Sequence, residues 1–268
     1  MKQTLLALLI AVCALAQTQP VAQPKIQTLI IAGQNGHDWR GTTPLLRKAL
    51  EDTGRFEVRV VEEFRGAGPE TLAPYDLIVV NYYESRKPAL KWGERAESAF
   101  LNHIKSGKGL VIYHFSVAAF DGWAEYEKMC AGNWRPNNGH HSAGHEFTVD
   151  IKDANHPITK GLKKSFPQSK DELYANLKWQ PEGTYHVLAT AYDDHSLYKN
   201  AKQPIPGAGI DQPMLWTTQY GQGKVFTTVL GHDIPAVSTP AFIVTFVRGA
   251  EWAATGNVTI PIPPEMAQ

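Results

Sequence analysis

The sequence predicts an α/β fold built on a mostly parallel sheet with helices on both faces. Short, continuously apolar runs at 28–32 (TLIIA), 76–81 (DLIVVN) and 109–113 (GLVIY) are typical of strands buried on both faces. Segments with apolar residues at helical spacing separate these runs, and strands that alternate with helices favour a parallel sheet. The chain has 268 residues, of which 43% are hydrophobic and 19% charged, so disordered and coiled-coil proteins are excluded.

The N-terminus carries the pattern of a secretory signal peptide. Lys2 precedes an apolar run at 5–12, and Ala14-Leu15-Ala16 is a small-x-small cleavage pattern. We expect cleavage after Ala16 and a periplasmic or secreted protein. The run is shorter than the roughly 20 residues that span a bilayer, and no later run reaches that length, so no integral membrane span is expected. A membrane-buried N-terminal anchor is the alternative, whereas Val12 makes a lipoprotein cut before Cys13 unfavourable.

The remaining elements follow in order along the chain. Residues 17–26 are expected to form a polar tether, and residues 27–262 a single α/β domain. A helix is predicted over 44–53, with Thr42 or Thr43 as its cap, and a second over 94–105 that stops before Gly107. A strand is predicted at 56–61. Residues 121–145 have weak periodicity, which indicates an ordered functional loop. Further strands are expected at 147–151, 186–192, 214–219 and 225–229, and a closing helix at 240–254.

Charge argues against a nucleic-acid partner, and cysteine content argues against a disulfide and a cysteine nucleophile. Lys plus Arg number 26, as do Asp plus Glu, so the formal net charge is zero and nucleic acid is not an expected partner. Signal cleavage would remove Cys13 and leave Cys130, and a single cysteine makes no intrachain disulfide. Cys130 follows no predicted strand, so we expect a small buried hydrophobe rather than a nucleophile.

Three histidines follow predicted strands closely. They are His37, His114 and His232, and ligands of open α/β sheets bind beyond the carboxyl ends of the strands. We therefore predict that they share one site, although histidines are also common in polar loops. His114 and His232 are the candidate proton carriers, because the pKa of imidazole lies near neutrality. His37 is a candidate contact for a substrate, as are neighbouring polar and aromatic residues: Trp39, Tyr82 and Asp233.

The loop 139–146 (GHHSAGHE) supplies His140, His141 and His145. Clustered neutral imidazoles suit a divalent metal such as zinc, with His141 and His145 as candidate ligands. The spacing matches no established ligand motif. A substrate-binding loop in which His140 and His141 hydrogen bond to sugar hydroxyls is the alternative.

Other nucleophiles and acids are less clearly indicated. No G-x-S-x-G pattern follows the run at 109–113, and Ser116 is better explained as a helix cap than as a nucleophile. Asp171 and Glu172 are either paired acid–base carboxylates or a solvated loop pair. Several aromatic residues beside polar ones are candidate stacking faces for sugars, about half of which we expect in the core: Trp39, Tyr82, Tyr83, Trp123, Tyr126, Trp134 and Tyr174.

Motifs along nearly the whole mature chain resemble, in order, those of the ThuA-like family of trehalose utilisation. They are 37–39 (HDW) with 42–44 (TTP), 75–79 (YDLIV), 107–111 (GKGLV) running into His114, 123–126 (WAEY), 139–141 (GHH), 156–159 (HPIT), 171–174 (DELY), 220–226 (YGQGKVF), 231–233 (GHD) and 248–252 (RGAEW). The resemblance implies a flavodoxin-like fold of the class I glutamine amidotransferase-like type. Amidotransferase relatives carry a cysteine at the strand-to-helix elbow, where this chain has His114, so cysteine-dependent amidotransferase chemistry is not expected.

The family resemblance also implies a function. It associates the chain with trehalose and related disaccharides, including keto-sugar derivatives, and implies that one pocket is lined by His37, His114, His141, Glu172 and His232. We expect an exported protein that acts on such a small carbohydrate by histidine acid–base chemistry, with or without a metal, and Glu172 joins His114 and His232 as a catalytic candidate. The alternatives are a non-catalytic carbohydrate-binding module in the same pocket and an interaction domain of a larger complex.

Overall fold

The structure is a computed structural model that describes residues 23–34, 36–83 and 92–268. The predicted signal peptide (1–16) and residues 17–22 of the predicted tether lie outside the described residues. Within the described ranges, one large sheet contains nine strands. They are β1 (Ile26–Gly33), β2 (Phe56–Val61), β3 (Leu77–Tyr82), β4 (Gly109–Tyr113), β6 (His145–Ile151), β7 (Ser165–Asp171), β9 (Tyr185–Tyr192), β10 (Asp211–Tyr220) and β11 (Gly223–Thr228), while β5 (Gly132–Asn133) and β8 (Lys178–Trp179) form a separate pair.

The large sheet has a parallel half and an antiparallel half. Its strand order is β2-β1-β3-β4-β11-β10-β9-β6-β7. Neighbours from β2 to β11 pair in parallel, and those from β11 to β7 pair antiparallel. The α/β class and the parallel centre are confirmed, and the second half of the chain adds an antiparallel arm to them.

Helices cover both faces of the parallel half. The α-helices of the described residues are α1 (Trp39–Asp52), α2 (Pro69–Leu72), α3 (Glu94–Lys105), α4 (Ala124–Cys130), α5 (Ile234–Val237) and α6 (Pro240–Thr255). The crossover β1-α1-β2 moves one way across the sheet and β3-α3-β4 moves the other way. Because such crossovers are right-handed, α1 and α3 lie on opposite faces. α5 and α6 both contact α1 and share its face.

The first helix starts five residues before its predicted start at Pro44. Asp38 caps it by accepting a hydrogen bond from the Gly41 amide at 2.9 Å. Thr43, a predicted cap, lies inside the helix and donates to the Trp39 carbonyl at 2.6 Å. Pro44 is therefore inside α1 rather than at its first position, and Trp39 is held there by its burial. A buried aromatic anchor sets this start, which local propensity does not reveal.

The parallel strands form the core and leave one edge for a site. Ile30, Ile31, Val80 and Ile112 are fully buried, as expected for strands covered on both faces. From β1 the chain moves outward to β2 and then returns to β3 on the other side of β1. The strand order therefore reverses between β1 and β3, and ligands of open α/β sheets bind beyond the carboxyl ends of strands at such a point.

The antiparallel arm curls back towards the parallel half. β7 is last in the strand order, yet it contacts both α5 and α6, which follow β11 in the chain. Register shifts between β9 and β10 and between β6 and β7 bend the arm, since bulges increase local twist. The curl brings the C-terminal end of β7 to the carboxyl edge of the parallel strands. Among the described residues, no helix has the length and apolar character needed to cross a bilayer.

Candidate metal centre

The candidate site lies where the parallel strands end. In register, β1 and β3 end at neighbouring positions, Gly33 beside Tyr82, and β4 and β11 end with Tyr113 beside Thr228. His37, His114 and His232 follow β1, β4 and β11 within a few residues, and the structure brings all three together as the sequence predicts. Glu172 directly follows β7 and reaches the same place because the antiparallel arm curls back.

Three imidazoles surround one carboxylate. One potential ligand atom from each of His37, His114, Glu172 and His232 lies within 4.8 Å of the others. Glu172 Oε2 is 2.9 Å from Nδ1 of His232, 3.7 Å from Nε2 of His114 and 3.8 Å from Nε2 of His37. We call these four residues the His3Glu cluster. Their ligand atoms converge although they come from four distant parts of the chain.

His114 is fixed in both backbone and tautomer. It follows β4 with a φ of 42°, a left-handed conformation that is uncommon for a residue with a side chain. Its Nδ1 lies 2.7 Å from the Val229 carbonyl oxygen, which only accepts, so Nδ1 carries the proton. Nε2 therefore presents a lone pair to the cluster, 3.0 Å from the Tyr174 hydroxyl.

Asp171 holds the two loops that carry Glu172 and His232. Its carboxylate is fully buried and accepts from the amides of Glu172 at 2.8 Å, Gly231 at 2.7 Å and His232 at 2.9 Å. The Gln168 amide donates a fourth hydrogen bond at 2.7 Å. The sequence paired Asp171 with Glu172 as acid–base candidates or solvated acids. The structure instead separates them, with Asp171 under the loops and Glu172 in the cluster.

The electrostatics of the cluster favour a charged carboxylate. Burial by itself would raise the pKa of Glu172, but the three imidazoles around it hold the pKa well below its usual range. The Glu172 carboxylate in turn raises the pKa of His232. Burial lowers the pKa of His37, against the effect of the same carboxylate. Glu172 is thus an anion near neutral pH, and the imidazole of His37 tends to be neutral.

The donor set fits a divalent metal. Neutral imidazoles and a carboxylate are the ligands that zinc and related transition metals take in proteins. Glu172 Oε2 and His232 Nδ1 are buried and 2.9 Å apart, and within the described part of the chain neither has a hydrogen-bond partner. Buried polar atoms are seldom left so, and a cation between them would satisfy both.

The loop that supplied the predicted metal ligands lies beside the cluster. His141 is at its rim, with Nδ1 3.4 Å from Glu172 Oε1 and 2.7 Å from the Ser142 carbonyl oxygen. His145 lies outside the cluster and hydrogen bonds locally, with Nδ1 3.1 Å from the Ser142 hydroxyl. His140 Nε2 lies 3.1 Å from the buried carboxylate of Asp193. The structure therefore groups the strand-end histidines as potential ligands, rather than His141 with His145.

Three residues predicted to contact a substrate have structural partners within the protein instead. Trp39 is 7% exposed, with the Arg40 guanidinium 4.0 Å above its ring. Tyr82 is 6% exposed and packs among aromatic rings. Asp233 caps α5 by accepting from the Ala236 amide at 3.0 Å. Trp39 and Tyr82 are thus buried side chains, and Asp233 has a structural role as a helix cap.

Two partly buried aromatic side chains flank the cluster. Phe115 packs on His37 with ring centroids 4.2 Å apart and contacts Tyr83. On the other side, Trp134 packs on Tyr174 at 4.9 Å and contacts His141 at 5.8 Å. Exposed faces of such rings beside polar groups are suited to stacking against the apolar faces of sugars.

The two candidate nucleophiles are structural. Ser116 bridges β3 and the turn after β4: its hydroxyl donates to the Val80 carbonyl at 2.8 Å and accepts from the Tyr82 amide at 3.1 Å. Its predicted role as a helix cap is wrong, because its hydroxyl instead hydrogen bonds to backbone groups at the end of β3. Cys130 is fully buried at the end of α4, and burial raises the pKa of its thiol. Neither side chain is available as a nucleophile.

Comparison with solved structures supports the fold and the family. A ThuA-like protein from Parabacteroides merdae is 31% identical with a TM-score of 0.79, covering 91% of this chain and 95% of its own. One from Bacteroides uniformis is 18% identical with a TM-score of 0.67, covering 90% and 96%. A β-galactosidase from Rahnella sp. R3 has a TM-score of 0.52, covering 83% of this chain and 30% of its own, and at 12% identity it shows a likeness of fold alone.

The comparison of sequences gives the family itself. No curated protein matches the chain. The family model named ThuA and described as trehalose utilisation matches residues 27–253, which include every residue of the His3Glu cluster. The protein therefore belongs to the ThuA family.

Proposed function

We propose that this protein binds a divalent metal in the His3Glu cluster and acts there on a disaccharide or a keto-sugar derivative. The observation that carries the proposal is the convergence of three imidazole nitrogens and one carboxylate oxygen within 4.8 Å. Glu172 Oε2 and His232 Nδ1 support it, because they are buried and have no hydrogen-bond partner among the residues that the structure describes. The family's association with trehalose utilisation supports a carbohydrate as the substrate.

The chain's own groups would bind the sugar and move its protons. A bound metal would supply Lewis-acid polarisation of a sugar oxygen. His114 and His232 would then be ligands, so the proton-carrying role passes to His141. Its Nδ1 donates to the Ser142 carbonyl, which leaves Nε2 as the basic nitrogen on a side chain that is 35% exposed. Phe115 and Trp134 would bound the sugar on either side by stacking.

Metal content of the purified, unsupplemented protein tests this proposal. Wild type should carry close to one equivalent by inductively coupled plasma mass spectrometry. His232→Ala and Glu172→Gln should each lose most of it, because each removes one of few ligands. His186→Ala is the matched control, since His186 pairs with Asp153 on the surface and its side chain is 57% exposed. Equal metal in all variants, or none in wild type even after loading with Zn²⁺, Mn²⁺ or Co²⁺, would refute the centre.

Turnover distinguishes an enzyme from a binding module. Metal-loaded protein should convert at least one member of a panel of disaccharides and their keto derivatives, and His141→Ala should slow conversion while the metal remains bound. Stabilisation by a sugar without any product would instead identify a non-catalytic carbohydrate-binding module in the same pocket.

We also propose that the protein is exported and processed. The support is the sequence of residues 1–16, with its basic start, apolar run and Ala14-Leu15-Ala16 pattern. Intact-mass measurement of the protein from its natural host should give a chain beginning at Gln17. A cell-associated chain that retains residues 1–16 would contradict export.

A further inference from the structure

Tyr174 is buried against the cluster and touches one of its potential ligand atoms. Its side chain is 1% exposed and packs between Trp134, at a centroid distance of 4.9 Å, and His114 at 4.5 Å. Its hydroxyl lies 3.0 Å from Nε2 of His114. A phenolic hydroxyl carries its proton at neutral pH. Tyr174 is therefore a neutral hydrogen-bond donor.

The acceptor of that hydrogen bond is the lone pair on Nε2 of His114, which is the same lone pair that would bind a metal in the cluster. The Nδ1–H group of His114 donates to the Val229 carbonyl at 2.7 Å. A flip of the ring would therefore break a buried hydrogen bond. A neutral imidazole has one lone pair, here on Nε2. That lone pair accepts from a hydroxyl or binds a metal, but does not do both.

We propose that the Tyr174 hydroxyl competes with the metal for Nε2 of His114, and that metal binding breaks the hydrogen bond between these two side chains. The inference rests on the metal centre proposed above and goes beyond it by adding a group that sets its affinity. In the metal-free protein the hydroxyl keeps the imidazole in place. Once released, it requires a new acceptor, because a buried unpaired hydroxyl is costly.

The sign of one substitution tests the competition. Zn²⁺ affinity should be measured against a chromophoric chelator for wild type, Tyr174→Phe and Tyr220→Phe. Tyr174→Phe should bind Zn²⁺ about 2- to 10-fold more tightly, the factor that corresponds to one net hydrogen bond. A merely supporting role for the hydroxyl would weaken binding instead. Tyr220→Phe is the control, because its hydroxyl contacts Glu125 at the opposite edge of the sheet, and its affinity should equal that of wild type.

The outcomes separate this inference from the metal centre. Zn²⁺ binding by wild type with equal or weaker binding by Tyr174→Phe would overturn the competition and leave the centre intact. Binding by Tyr174→Phe alone would support the competition, and binding by neither protein would overturn both proposals.

If the variant does not fold, an NMR measurement on wild type tests the competition. The Tyr174 hydroxyl proton should give a resolved NMR signal with a cross-peak to the His114 ring, and that cross-peak should vanish when Zn²⁺ is added. Its persistence in Zn²⁺-loaded protein would refute the competition.

Discussion

Replacing Asp171 by Asn should destabilise the protein strongly although the two side chains have nearly the same shape. The buried carboxylate accepts four N–H groups, two on each oxygen. An asparagine keeps one oxygen as an acceptor. Its NH2 group, which only donates, would face the other two N–H groups. Each buried donor left without an acceptor costs about 1–3 kcal/mol, so the free energy of unfolding should fall by about 2–6 kcal/mol. Gln168 cannot compensate by turning its amide, because its own oxygen accepts from Thr239 at 2.8 Å.

Urea denaturation at neutral pH measures this effect, provided that the m-value is the same for both proteins. Asp38→Asn is the matched control. Asp38 accepts one hydrogen bond as the exposed N-cap of α1, and Asn caps a helix as well as Asp does. A loss for Asp171→Asn no larger than that of Asp38→Asn would refute the reasoning. Metal content gives a second readout, because Asp171 positions the loops of two of the proposed ligands, and it should fall in Asp171→Asn alone.

Three further substitutions test the packing and electrostatics of the fold. Cys130→Ala should cost about 0.5–3 kcal/mol with unchanged metal content, and thiol reagents should modify wild type only after unfolding, since the thiol is fully buried. Glu251, which accepts hydrogen bonds from the C-terminal segment, has a pKa lowered by these bonds against the opposing effect of burial. Its contribution to stability is present above its unfolded pKa of about 4.3 and is lost as the pH falls through the lower folded pKa. The stability difference between wild type and Glu251→Gln should therefore shrink on acidification, and a constant difference from pH 7 to 2 would contradict this assignment. Gly249→Ala would place a Cβ against the ring of Phe226, so thermal unfolding should show a loss of about 1–3 kcal/mol, and an unchanged melting temperature would contradict the close packing.

The positions of the strand-end histidines could be predicted because the sheet itself determines them. Continuous apolar runs mark the parallel strands, and the carboxyl ends of parallel strands meet at one edge. This places His37, His114 and His232 together without knowledge of any side-chain contact. Glu172 could not be placed in the same way, because it arrives from an antiparallel arm whose curvature depends on bulges. Its membership of the pocket followed only from the family resemblance.

The remaining differences have local physical causes. Neighbouring residues of an irregular loop point in different directions, so His140 faces Asp193 while His141 faces Glu172. No periodicity in 139–146 distinguishes them. β7, which the sequence analysis missed, reads SFPQSKD, and its alternating buried residues are obscured by Pro167 and by the polar Gln168 and Asp171, whose partners lie far away in the chain. Buried polar residues of this kind are recognisable only from their partners.

The four members of the His3Glu cluster, positions 37, 114, 172 and 232, are drawn from nearly the whole length of the chain. No short segment of the chain contains the whole set, so a metal has no comparable site in the unfolded protein. Occupancy would therefore be linked thermodynamically to global folding, adding about 2.7 kcal/mol when free metal stands at 100 times its Kd. A chelator would then lower the free energy of unfolding, and the resistance of the protein to proteolysis would depend on the concentration of free metal.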